Sequence, residues 1–157
     1  MNNIRSETTY PLANIKNRLR KKIDEVLNLL GETDSEIHWI ITDKYSLHHG
    51  FYGLFRRGSP AWAFPNQKEI YIDICILWRL SLPTSTLYDF MNVRFHNDFL
   101  ANVIMDELAH IKTGKDHGSK EYDEKLTSYV DRYYNRKYCD LLPISSMKKL
   151  YPIYQNK

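Results

Sequence analysis

Residues 69–77, with the sequence EIYIDICIL, restrict the possible folds more than any other segment. Isoleucine recurs at every second position, at Ile70, Ile72, Ile74 and Ile76. Because side chains of a β-strand alternate between two faces, all four isoleucines would lie on the same face. The segment therefore predicts a strand whose apolar face packs against a second layer of structure.

Helices are expected to supply that second layer. Three segments have apolar side chains at helical spacing: residues 12–30, residues 97–113 and a segment that begins near Ser119. Gly31 and Gly114 follow the first two segments directly, where a glycine commonly ends a helix. The predicted helices are thus an N-terminal helix, a central helix and a C-terminal helix.

The remaining segments complete an α+β prediction. Further strands are predicted at residues 36–42, 49–57 and 61–65, where β-branched and aromatic residues are frequent. We expect a small, mostly antiparallel sheet with the helices packed on it. The 157 residues would form one domain, with a core at about 12–138 and a C-terminal tail at 139–157.

Composition excludes several classes of protein. Charged residues make up 26% and the net charge is only +3, so no strongly basic surface is expected. The two cysteines, Cys75 and Cys139, are far apart, which excludes a zinc finger and makes a disulfide framework unexpected. The longest apolar run is residues 74–78, too short to cross a membrane or to direct secretion. We therefore expect a cytoplasmic protein that does not bind membranes.

The central helix carries the residues most suited to chemistry. Asp106 and His110 are four residues apart, so both side chains would point from one face of the helix toward one ion. Glu107 projects about 100° away, toward a water on that ion. After Gly114, a short turn would bring His117 back over the site. Three protein ligands with an open fourth position are typical of catalytic zinc.

This stretch resembles the HExxH zincin metallopeptidases, and in particular small SprT-like domains. The resemblance is carried by Asp106–His110 (DELAH), by the pair His117–Gly118 and by the aromatic Tyr122. It implies a zincin-like fold and a Zn²⁺-dependent peptidase acting on a peptide or protein. It also implies that Glu107 is the general base, and that the strand at residues 70–77 is an edge strand that binds peptide.

One position departs from the family pattern. The resemblance implies zinc ligands at Asp106, His110 and His117, but the family has histidine where this chain has Asp106. An aspartate can bind zinc, yet its side chain is shorter and adds negative charge. Three alternatives stay open at the level of sequence: a working Asp-His-His site, a catalytically degenerate zincin-fold binding module, or a site completed by Glu121 or Glu124.

Other candidates have simpler explanations. Adjacent His48 and His49 would point to opposite faces of a strand, so they would not share an ion. A tyrosine among Tyr129, Tyr133 and Tyr134 could stabilise an oxyanion, although helical spacing favours core packing. Nucleic acid remains a weaker alternative partner. It is suggested by the aromatics Trp62, Phe64 and Trp78 and by the basic residues Arg18, Arg20, Lys21 and Lys22.

Overall fold

The computed structural model describes residues 2–8, 13–44, 61–74 and 99–138. In chain order its elements are β1 (Asn3–Glu7), α1 (Ala13–Leu30), β2 (His38–Thr42), β3 (Ala61–Phe64), β4 (Glu69–Asp73), α2 (Phe99–Thr113) and α3 (Lys120–Tyr138). The described residues thus form a mixed structure of a small sheet and three helices, in agreement with the predicted α+β class.

The pairing within the sheet corrects one prediction. The strand order is β1-β2-β4-β3, in which β1–β2 and β2–β4 are parallel and only β3–β4 is antiparallel. The described sheet is therefore not mostly antiparallel. Parallel neighbours need a connection that carries the chain back across the sheet, and α1 does this between β1 and β2. The short turn at residues 65–68 instead makes β3 and β4 a hairpin.

The position of β4 corrects a second prediction. β4 lies between β2 and β3 and is hydrogen-bonded on both sides, so it is an interior strand and not an edge strand. Ile70 and Ile72 of β4 are fully covered as expected, and Ile74, directly after the strand, is nearly so. The apolar alternation indicates a covered face, but it does not distinguish interior from edge strands.

β1 is a strand that the sequence did not predict. The segment NIRSE has one apolar residue, Ile4, and no run of β-branched residues. Its register places Asn3 opposite His38, where the Asn3 amide and the His38 Nδ1 lie 2.8 Å apart. His38 therefore has a structural contact at the start of β2, well separated in sequence from the candidate ligands.

One apolar core connects the sheet to the helices. α1 buries five apolar residues at spacings of three and four: Leu19, Ile23, Val26, Leu27 and Leu30. α2 packs against β3, β4, α1 and α3, and most of its residues are buried. Ala61 and Ala63 of β3 belong to or contact this core, and their small side chains allow α2 to approach the sheet closely.

Several predictions lie outside the described residues. These are the strand at 49–57, the tail at 139–157, His48, His49, Trp78, Ile76 and both cysteines. Within the residues that the structure describes, no helix combines the length and the apolar character needed to cross a membrane.

Candidate metal centre

Asp106 and His110 lie one turn apart on α2, as their spacing predicts. The His110 Nε2 and the Asp106 Oδ1 are 3.6 Å apart, and each side chain is 13% exposed. Neighbouring residues Met105, Leu108 and Ala109 are completely buried. The helix therefore presents the two ligand candidates at its partly open face while its other faces lie in the core.

The loop after α2 brings the third candidate back to that face. Gly114 has φ 64° and its amide donates to the His110 carbonyl at 2.8 Å, which ends the helix in a left-handed conformation. Gly118 has φ 89°, a second bend that glycine adopts without strain. Between the two glycines, the His117 Nε2 lies 3.2 Å from the His110 Nε2 and 3.9 Å from the Asp106 Oδ1.

A backbone carbonyl fixes the orientation of His110. The His110 Nδ1 lies 2.7 Å from the carbonyl oxygen of Lys115. Because a carbonyl oxygen only accepts, Nδ1 must carry the proton and donate it. The other nitrogen of the neutral ring, Nε2, then presents a lone pair to the cluster. Histidines that bind metals are commonly held in this way, with the second ring nitrogen bonded to a carbonyl or carboxylate.

Tyr122 contacts each of the three candidate ligands. Its ring stacks on His110 with centroids 4.5 Å apart and meets His117 edge-on at 4.8 Å. Its hydroxyl donates to the Asp106 Oδ1. The tyrosine is fully buried, and it follows the Ser119 side chain that accepts from its amide and caps α3.

The dimensions of the cluster fit a metal ion. Atoms bound at about 2.0–2.1 Å by tetrahedral zinc lie about 3.3 Å from one another. The three observed separations are 3.2, 3.6 and 3.9 Å, so small side-chain movements would bring all three atoms to binding distance. His117 is 44% exposed, which leaves one side of the cluster open to solvent. Two imidazoles and a carboxylate are also an established zinc donor set.

The other acidic candidates lie apart from this cluster. Among the residues that the structure describes, the group whose ligand atoms approach one another within 4.8 Å is Asp106, His110 and His117. Glu107 is outside the group and 5% exposed. Glu121 and Glu124 are exposed on α3, and Glu124 lies 3.8 Å from Lys120. The arrangement does not favour a site completed by either glutamate of α3.

The three tyrosines considered as oxyanion donors have their hydroxyls directed elsewhere. Tyr129 donates to Glu32 at 3.1 Å and Tyr134 donates to Asn102 at 2.6 Å. Tyr133 accepts from Lys22 at 3.2 Å. Burial and the Glu32 carboxylate raise the pKa of Tyr129 far above its usual value. These contacts agree with the packing explanation.

A shallow depression of about 670 Å³ lies on the outer side of α3. All of its lining residues come from α3, between Asp123 and Asn135, and they include Asp131. Asp131 lies nine residues after Tyr122, or about 14 Å along a helix. Asp131 is therefore remote from the candidate cluster, although the lining of the depression begins at Asp123, directly after Tyr122.

Sequence reasoning missed two of the groups that shape the site. The Lys115 carbonyl leaves no signal in the sequence, because every residue has one. The sequence gives only a weak sign of the Tyr122 hydroxyl. A tyrosine does follow the Asp106–His110 motif, but an apolar ring at position 122 would fit the helical spacing equally well. Comparisons with protein-family models, curated proteins and solved structures find no match.

Proposed function

We propose that this chain is a zinc-dependent metallopeptidase of zincin-like fold, with Asp106, His110 and His117 as zinc ligands. The observation that carries the proposal is that one carboxylate oxygen and two imidazole nitrogens lie within 4.8 Å of one another, on a helix and on the loop that returns to it. The Lys115 carbonyl supports it, because it orients the lone pair of His110 toward the other two ligands.

The proposed roles follow from the chemistry of the side chains. Zinc held here would polarise the substrate carbonyl and lower the pKa of a water toward about 7. Glu107 would accept the proton of that water and deliver it to the leaving amine. Its burial excludes bulk water, which strengthens the interaction of a carboxylate with nearby charges. The exposed side of His117 would be the side from which substrate enters.

The interior position of β4 changes how a peptide substrate would bind. A peptide adds to a sheet only where backbone N–H and C=O groups are unpaired, at an edge strand. β4 is paired with β2 on one side and with β3 on the other, so a peptide substrate would not extend along β4.

A non-catalytic binding module is the alternative, and one observation favours it. The cluster can be held by protons alone: the Tyr122 hydroxyl donates to Asp106, and a proton between the two histidine Nε2 atoms would join them. In that form the zincin-like fold would retain a groove for a protein or nucleic-acid partner. Arg18 and Lys21 are exposed on α1, whereas Arg20 and Lys22 bond to Ser6 and Glu25.

Metal content distinguishes the two functions. The purified chain should contain close to one equivalent of zinc by elemental analysis. Asp106→Ala should lose the metal, because the two remaining histidines seldom hold zinc. Asp106→His should bind zinc more tightly than the unaltered chain. Asp116→Ala is the matched control, since it removes an exposed carboxylate from the same loop and should retain the metal.

The results that contradict the proposal are equally specific. If the unaltered chain binds no metal and Asp106→His binds zinc tightly, the fold has kept the site geometry and lost the function. The binding-module alternative would then be correct. If neither protein binds metal, the three side chains do not form a metal site.

A further inference from the structure

Tyr122 has a position that ring packing alone does not explain. It enters the cluster from the first turn of α3, where the Ser119 cap fixes the backbone and the side chain is completely buried. Its ring contacts two of the three candidate ligands, and its hydroxyl contacts the third. A phenylalanine would make the same ring contacts. The hydroxyl is therefore the feature that needs a separate explanation.

The partner of that hydroxyl is the residue that makes this site unusual. Asp106 has a shorter side chain than histidine, and its carboxylate can rotate, so either oxygen can turn away from the other ligands. Accepting from Tyr122 fixes the position of Oδ1, which lies 3.6 and 3.9 Å from the two histidine nitrogens. The bond also withdraws negative charge from the carboxylate. Both effects oppose the two disadvantages of an aspartate ligand, its freedom to rotate and its extra charge.

We propose that Tyr122 is a positioning residue whose hydroxyl allows Asp106 to serve as a metal ligand. The inference rests on the proposed function, because it assumes that the cluster binds a metal. It goes further by coupling two residues that are sixteen positions apart in the chain. Groups that orient metal ligands typically contribute about 10–100-fold to metal affinity. An imidazole at position 106 has no carboxylate oxygen to hold, so the hydroxyl would lose this role.

A double-mutant cycle measures the coupling. Zinc dissociation constants are determined for the unaltered chain, Tyr122→Phe, Asp106→His and the double variant. In the unaltered background Tyr122→Phe should weaken zinc binding by about 10–100-fold. In the Asp106→His background the same substitution should change affinity by much less.

Two further measurements separate positioning from general stability. Tyr129→Phe is the matched control, because Tyr129 is also fully buried on α3 and also donates to a carboxylate, that of Glu32. It should leave zinc affinity unchanged. With Co²⁺ in place of zinc, Tyr122→Phe should alter the visible absorption spectrum, since the carboxylate would bind in a different geometry. Tyr129→Phe should not alter it.

The results also distinguish failure of this inference from failure of the proposed function. If the unaltered chain binds no metal, both are wrong. If it binds zinc and Tyr122→Phe binds equally well, only the inference is wrong. Equal losses in the two backgrounds would likewise overturn it, because they would indicate a role in packing. Failure of Tyr122→Phe to fold would overturn it too, since a hydroxyl with only this role is not required for folding.

Discussion

The two ends of α3 use buried tyrosines in opposite ways. Near its C-terminal end, Tyr133 accepts from Lys22 at 3.2 Å and from Lys137 at 3.1 Å. Both lysines also contact Glu25, at 3.1 and 2.9 Å. Near its N-terminal end, Tyr122 is the donor, and the groups around it are a carboxylate and two imidazoles. The C-terminal end thus pairs lysine donors with acceptor oxygens, whereas the N-terminal end brings several acceptor atoms close together.

The difference shows what separates a structural network from a candidate metal site. At Tyr133 each lysine donates to an oxygen and each carboxylate oxygen of Glu25 receives a lysine, so the network is complete with protein groups. At Tyr122 one ligand atom each of Asp106, His110 and His117 lies within 4.8 Å of the other two. Acceptor atoms this close are held together by a shared proton or by a metal ion. Among the described residues, the N-terminal end of α3 is therefore the end at which a metal site is proposed.

Among the substitutions at the proposed metal site, next to the N-terminal end of α3, Glu107→Gln should have the largest effect. Glutamine has nearly the same shape but accepts no proton, so kcat for peptide cleavage should fall by about 10²–10⁴. Zinc content should not change, because Glu107 is outside the group of ligands. The measurement is peptide hydrolysis together with elemental analysis, and exposed Glu121→Gln is the control. Full activity in Glu107→Gln would show that another group accepts the proton.

Thermal unfolding with and without zinc should show which end of α3 the metal stabilises. At zinc about 100-fold above its dissociation constant, the native chain gains about 2.7 kcal/mol. For a chain of this size that raises Tm by about 5–10 °C. His110→Ala should abolish the rise. Tyr133→Phe should lower stability by about 1–3 kcal/mol, since the hydrogen bonds from Lys22 and Lys137 are both lost, but it should keep the zinc-induced rise.

Loss of the rise in Tyr133→Phe would contradict the comparison. It would mean that the two ends of α3 are coupled and that the cluster depends on the α1–α3 interface. Calorimetry of the unaltered chain and of Tyr133→Phe, each with and without zinc, would measure that coupling directly.

A smaller, pH-dependent effect is expected at the C-terminal end. Burial acts to raise the pKa of Glu25, but the hydrogen bonds from Lys137 and Lys22 outweigh it and hold that pKa below its usual value. A carboxyl whose pKa is lower in the folded state stabilises the fold above its unfolded pKa, and that stability is lost as pH falls through the folded pKa. Glu25→Gln should therefore be less stable than the unaltered chain at neutral pH.

The difference in stability between Glu25→Gln and the unaltered chain should shrink as the pH falls below the unfolded pKa of about 4.5. Urea midpoints measured across that range test this. Glu25 is partly exposed, so solvent screening keeps the effect small. A difference that stays constant with pH would mean that Glu25 acts through packing and not through its charge.

Local periodicity explains why the sequence predicts the helices and the shared face of Asp106 and His110. α1, α2 and α3 follow the predicted boundaries within a few residues, because apolar spacing, Gly31, Gly114 and Ser119 are all local signals. The i,i+4 relation of Asp106 and His110 is a property of any helix. β1 was missed because a short polar segment becomes a strand only when a neighbouring strand supplies its hydrogen bonds.

By itself, the sequence determined the helices, the buried face of Ile70 and Ile72, and that Asp106 and His110 share one face of α2. The tertiary structure alone decided that β4 is interior, that two pairings in the described sheet are parallel, and that the Tyr122 hydroxyl bonds to Asp106. The physical reason is distance along the chain. Spacings of two to four residues fix which side chains share a face, whereas contacts between distant residues depend on how the layers pack.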